Sequence, residues 1–218
     1  MAQRRERHPD VLHQRPTPRG AGRRPDPAGG AAAGKLARQT LDQPVTQRSS
    51  TMAHETMNDL PENVRSQVSD LLNNRLAEAI DLQTQTKQAH WNVKGPNFIA
   101  LHKLFDEIDE AVEEYVDLLA ERVVQLGGTA EGTARIVAER SELPEYPLTI
   151  STGEEHVWAL SSALSNFGER MRRAIDQTAD LGDVGSSDIC TEISRGTDKW
   201  LWFVEAHAEG AVRAHLKG

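Results

Sequence analysis

Six residues, His102, Asp106, Glu110, Glu113, Asp117 and Glu121, follow one another at intervals of four, four, three, four and four. On a helix such intervals stack side chains on one face. An imidazole heading a column of carboxylates is a donor set for iron or zinc, because ring nitrogen suits transition metals and carboxylate oxygen suits hard cations. Left without a cation the column is mildly unfavourable, since like charges four residues apart repel by roughly 0.2–0.5 kcal/mol. A further imidazole, His90, lies twelve residues before His102 and could reach a metal across an interface. The competing reading is a solvated acidic face, the common fate of charges on an amphipathic helix.

The helix that carries the column also carries Leu101, Phe105, Ile108, Val112, Tyr115, Leu119, Val123 and Leu126. At about 100° per residue, that apolar stripe lies roughly 140° from the column. The carboxylates therefore point away from their own subunit's core, and a metal held there needs ligands from another subunit. A metal inside a bundle is instead usually marked by Glu-x-x-His pairs on facing helices, and the sequence has none.

Three more long helices flank this one. Asp59 and Pro61 open the first, whose stripe Val64, Val68, Leu71, Leu72, Leu76 and Ile80 runs on to about Trp91, before Gly95-Pro96. The second begins near Asn97 and stops at Gly127-Gly128. Thr152 and Glu155 form a capping-box pattern for the third, with Val157, Leu160, Leu164, Phe167, Met171 and Ile175 as its stripe. After Gly182 and Gly185 the fourth is predicted from about Ser187 to His215, carrying Ile189, Ile193, Trp200, Leu201 and Val204. Two short connections and one long crossover, with Pro144, Pro147 and a short helix over Thr133 to Ser141, predict an all-α, ferritin-like four-helix bundle made of two hairpins.

Composition divides the chain. Of 218 residues, 38% are hydrophobic and 27% charged, with a net charge of -8, figures that suit one domain with a tail and exclude collagen-like and wholly disordered chains. No run reaches the 18 or more apolar residues of a membrane span, and a single cysteine, Cys190, fits a reducing cytoplasm. Residues 1–50 hold ten basic side chains against four acidic ones, net +6, which leaves -14 for the rest. That segment has no Phe, Trp, Tyr or Ile and is rich in Pro and Gly, so residues 1–57 read as a disordered basic tail and 58–218 as the folded domain. Arg4, Arg5, Arg7, Arg15, Arg19, Arg23, Arg24, Lys35 and Arg38 suit a phosphate-neutralising arm that binds nucleic acid without reading sequence. A merely solubilising tail, or translation starting at Met52 or Met57, are the alternatives.

The run Thr86-Lys87-Gln88-Ala89-His90-Trp91-Asn92-Val93-Lys94-Gly95-Pro96-Asn97-Phe98, followed by His102, Asp106, Asp117, Ala120-Glu121-Arg122 and Gln125-Leu126-Gly127-Gly128, resembles the Dps family of ferritin-like mini-cages. Asp198-Lys199-Trp200-Leu201-Trp202-Phe203-Val204-Glu205 resembles that family's fourth helix. The resemblance implies a hollow, cytoplasmic dodecamer that oxidises Fe(II) with hydrogen peroxide or oxygen, stores ferric mineral and protects DNA. It further implies iron between subunits, with His90 and His102 from one chain and Asp106, Asp117 and Glu121 from its two-fold partner, and Trp91 packed beside the site. The family's arms are typically shorter and richer in Lys. The alternative function is a nucleoid-associated, non-specific DNA-compacting protein with little ferroxidase activity. A helical interaction module without metal is a third reading. His156, His207 and His215 read as surface or cap histidines, Trp158, Trp200 and Trp202 as packing or interface residues, Cys190 as a small core residue, and Asp180, Asp183 and Asp188 as candidates for a pore lining.

Overall fold

A computed structural model describes residues 53–208. The chain divides into two units, residues 1–46 and 47–218, and the described residues lie in the second. Their elements are α1 (Glu62–Asn92), α2 (Phe98–Gln125), α3 (Ala134–Arg140), α4 (Gly153–Asp180) and α5 (Val184–Glu205), closed by a 3-10 turn over Ala206–Ala208. No strand forms among the described residues; an isolated parallel bridge joins Lys94 to Thr152. None of the described helices is long and apolar enough to cross a membrane.

Helices α1 with α2 and α4 with α5 pack as the two hairpins, α4 lies along α1, and the crossover helix α3 sits on α1. Periodicity decides what each helix buries: Leu101, Phe105, Ile108, Val112, Tyr115, Leu119 and Val123 of α2 meet Leu72, Leu76 and Leu82 of α1 and Leu160, Leu164, Phe167 and Met171 of α4 in one core. Cys190 and Trp200 join it, whereas Trp202 is 65% exposed. Gly196 is dictated by the same packing, because a Cβ there would lie 1.9 Å from the Tyr115 hydroxyl oxygen, so only glycine lets α5 approach α2 this closely.

The helix ends follow local chemistry. Thr152 Oγ1 accepts from the Glu155 amide while the Glu155 carboxylate accepts from the Thr152 amide, the reciprocal cap expected of that pair. These backbone and hydroxyl donors hold the Glu155 carboxyl below the usual carboxylate range. Helix α5 starts earlier than its hydrophobic stripe suggests, at Val184, because Asp183 caps it by accepting from the Ser186 amide at 3.0 Å. Asp183 is 2% exposed and paired with Arg122 at 2.8 Å, so it is an internal clasp and not part of a pore lining. The helix also ends earlier than expected, at Glu205; His215 lies outside the described residues.

So does the basic tail up to residue 52, with every arginine and lysine singled out in it. From Ala53 onward the chain is docked, ahead of the boundary expected at 58: the amides of Ala53 and His54 donate to the Gly127 carbonyl at the end of α2. A second buried cluster of a carboxyl and guanidinium groups lies inside the bundle. Glu78 has no exposed surface and meets Arg75 through Nε at 2.8 Å and Nη2 at 2.9 Å, with Arg170 Nη1 at 3.4 Å. Burial pushes its carboxyl up to about 7 although both guanidinium groups pull it down.

Candidate metal centre

The last turn of α1 and the first turns of α2 face each other across a turn that Gly95 makes with φ of 110°, a left-handed conformation natural to glycine. The two histidines meet there. His90 Nδ1 lies 2.9 Å from the His102 carbonyl, and His102 Nδ1 lies 2.9 Å from the His90 carbonyl. A carbonyl only accepts, so both Nδ1 atoms carry the proton, and in the neutral rings both Nε2 atoms present a lone pair. The rings stack at 3.7 Å with 22° between their planes, and Phe98 lies 5.0 Å from the His102 ring. Donation of the distal N–H to a backbone carbonyl is how metal-ligating histidines are generally oriented.

Asp106 stands beside this pair in the same chain: its Oδ1 is 3.6 Å from His90 Nδ1. The resemblance groups Asp106 with the partner's ligands; the geometry groups it with the histidines, because four residues along α2 bring it back over His102. Lys87, three residues before His90, places its ammonium 2.8 Å from Asp106 Oδ1 and 2.8 Å from Asp109 Oδ2. The hydrogen bond from Lys87 holds the Asp106 carboxyl below its ordinary range, and the two carboxylates raise the Lys87 ammonium to about 12. Lys87 and Asp109 were not among the residues singled out from sequence. Their signal was the spacing: each lies three residues from a member of the column or of the histidine pair.

Asp117 and Glu121 lie elsewhere. They are exposed on α2, and the eleven residues from Asp106 to Asp117 span about 16 Å of helix. Glu110 and Glu113 are exposed between them. No group of three or more His, Cys, Asp or Glu side chains among the described residues is arranged to hold a metal within this one chain. A groove of about 1020 Å³ lies between α1, α2 and the crossover, lined by Lys87, Asp109, Glu113, Tyr146 and Leu148. Trp91 lines it too and is 68% exposed.

Residues 69–213 match the family of ferritin-like domains. A DNA protection during starvation protein of Agrobacterium fabrum (strain C58) is 46% identical over 156 residues, which covers 72% of this chain and 96% of that protein. The chain belongs to the Dps family of ferritin-like proteins. Its bundle is accordingly similar to solved Dps structures. Mycobacterium smegmatis Dps in a tetragonal form matches with a TM-score of 0.69 at 34% identity, covering 73% of this chain and 96% of that one. DpsC from Streptomyces coelicolor matches with a TM-score of 0.70 at 29% identity, covering 75% and 95%. Within this Dps-type bundle the placement of Lys87 has a measurable consequence. Its ammonium occupies the space between Asp106 and Asp109 where a metal cation would be attracted, and a unit charge about 4 Å from a divalent ion costs roughly 2 kcal/mol even at the dielectric of water. Lys87→Met is therefore expected to tighten Co(II) binding about thirtyfold, as read by calorimetric titration. Unchanged affinity would place the Lys87 charge outside the metal's reach.

Proposed function

We propose that this chain is the subunit of an iron-oxidising, iron-storing Dps shell. Fe(II), the substrate, binds between His90, His102 and Asp106 of one subunit and Asp117 and Glu121 of a two-fold partner. The observation that carries the reading is the histidine pair, whose Nδ1 atoms are engaged with the two carbonyls, leaving both Nε2 lone pairs for a metal, while no group of three or more metal-binding side chains among the described residues completes a site within the same chain. An isologous two-fold contact makes two such sites at once.

Carboxylates favour the ferric product over the ferrous substrate, since they stabilise the higher charge. Two Fe(II) ions each give one electron, and hydrogen peroxide takes both with two protons. Its O–O bond breaks to two waters, and no hydroxyl radical leaves the site. Ferric product is stored in the shell's cavity, and the net -14 of residues 51–218 draws cations toward it. In a dodecamer this chemistry removes both reactants that damage DNA, in keeping with the DNA protection for which the relatives are named. The test is a stoichiometry: under anaerobic conditions two Fe(II) are consumed per peroxide, and a spin trap records no hydroxyl adduct. A one-to-one ratio with radical would contradict the proposal.

The +6 charge of residues 1–50 supports a second role, non-specific DNA binding through Arg4, Arg5, Arg7, Arg15, Arg19, Arg23, Arg24, Lys35 and Arg38. Many copies on one shell would add avidity. Gel shifts of the full chain are expected to weaken steeply with salt and to vanish once residues 1–51 are removed; identical shifts of both forms would assign DNA binding elsewhere.

A further inference from the structure

His156 reads as a surface histidine in the sequence but is 1% exposed, and its ring joins three elements near the metal centre. Its Nδ1 lies 2.6 Å from the hydroxyl of Tyr146 in the crossover. Burial keeps the Tyr146 phenol protonated, and the Asn92 main chain favours a proton on the other ring nitrogen, so the hydroxyl donates and Nδ1 accepts. The ring's own proton is thereby placed on Nε2. The remaining ring nitrogen faces the main chain of Asn92, in a contact too long or bent to count as a full hydrogen bond. Asn92 is the last residue of α1, two beyond His90. Tyr146 in turn lines the groove that Lys87 and Trp91 of α1 also line, and Gln85 of α1 donates to the neighbouring Pro144 carbonyl at 3.0 Å. At the same end of the bundle the Lys94 amide donates to the Ser151 carbonyl and the Gly153 amide to the Lys94 carbonyl, each at 3.1 Å.

We propose that His156 is a positioning residue for the iron site: through Tyr146 and Asn92 it fixes the crossover relative to the end of α1 that carries His90, and so holds the His90 ring where it can take a metal. The inference rests on the intersubunit iron site proposed above. His156 touches no substrate; it acts through the register of α1, α4 and the crossover. Neutral imidazole is required, since a proton on Nδ1 would confront the Tyr146 O–H. Burial lowers the His156 pKa from 6.5, with the Asn92 main chain and the Glu155 carboxylate of its own helix opposing. The crossover presents Tyr146 to it and α1 presents the Asn92 main chain.

The test is Co(II) titration of the full chain at pH 7.5 with three variants. Tyr146→Phe and His156→Phe are expected to bind Co(II) about tenfold more weakly. His156→Asn places an amide oxygen where Nδ1 stands, accepts from Tyr146, and is expected to recover to within about threefold of the parent. Below pH 6.5 the parent should lose affinity more steeply than His156→Asn, which has no imidazole at that position to protonate. Parent-like affinity in both phenylalanine variants, or equal weakness in His156→Asn and His156→Phe, overturns the positioning role. If His156→Phe does not fold, Tyr146→Phe, which removes one oxygen, still decides between these outcomes. A parent that binds no Co(II) would instead overturn the iron-site reading itself.

Discussion

Replacing Asp117 and Glu121 together by alanine is expected to lower peroxide-dependent Fe(II) oxidation by roughly two orders of magnitude, the upper end of what even outer-shell changes cost a metal site. Both side chains are exposed, and each is flanked by further acids on the same face. Their removal should therefore leave stability within about 0.5 kcal/mol of the parent, or raise it slightly by relieving repulsion. Loss of activity without loss of helix content would separate a role in the site from a role in the fold. His90→Ala is a less clean probe, because it also removes the hydrogen bond from its ring to the α2 main chain. Stopped-flow absorbance of the ferric product, beside thermal unfolding of the same samples, checks the prediction. Oxidation at the parent's rate would remove both carboxylates from the site.

A large effect of the opposite kind is expected at Glu78→Ala. This carboxylate is fully buried against Arg75, whose side chain is only 11% exposed. Removing it strands a guanidinium inside the bundle, which costs about 3–5 kcal/mol. Glu78→Gln keeps an acceptor for Arg75 and should cost much less. Since the Glu78 carboxyl rises from 4.5 to about 7 on folding, the folded state holds more protons between those values. Its contribution to stability is thus fully present below pH 4.5 and lost as the pH rises through 7. Glu78→Gln should remove that slope. Thermal unfolding of parent and variants from pH 4.5 to 8 measures both effects, and an unchanged midpoint in Glu78→Ala would show the cluster to be energetically idle.

The helices and their buried faces were legible because a 3.6-residue repeat and helix caps are local properties: the α2 stripe and the Thr152–Glu155 cap are both where the spacing placed them. What the spacing could not supply was the third dimension. His156 reads as polar and therefore superficial, yet its burial is satisfied by Tyr146, ten residues away in a segment without periodicity. Asp183 could not be told from its neighbours Asp180 and Asp188, because its partner, Arg122, lies on another helix. At the candidate metal centre, the column of acids gave the face but not its division. Only the hairpin geometry shows that Asp106 stands with the histidines while Asp117 and Glu121 are a further turn-stack away. Lys87 is a related case: its spacing from His90 places it on the right face, but only the fold puts its ammonium between two carboxylates.

Whether one chain supplies His90, His102 and Asp106 and its partner supplies Asp117 and Glu121 is tested most directly by complementation. His90→Ala/His102→Ala and Asp117→Ala/Glu121→Ala are each inactive under the proposal. Unfolded together and reassembled in equal amounts, half of the two-fold contacts pair unlike chains, and each such contact regains one intact site of its two. Fe(II) oxidation with peroxide should therefore return to about a quarter of the parent's specific rate. If the mixed assemblies stay as inactive as either variant alone, the site does not lie between subunits as described.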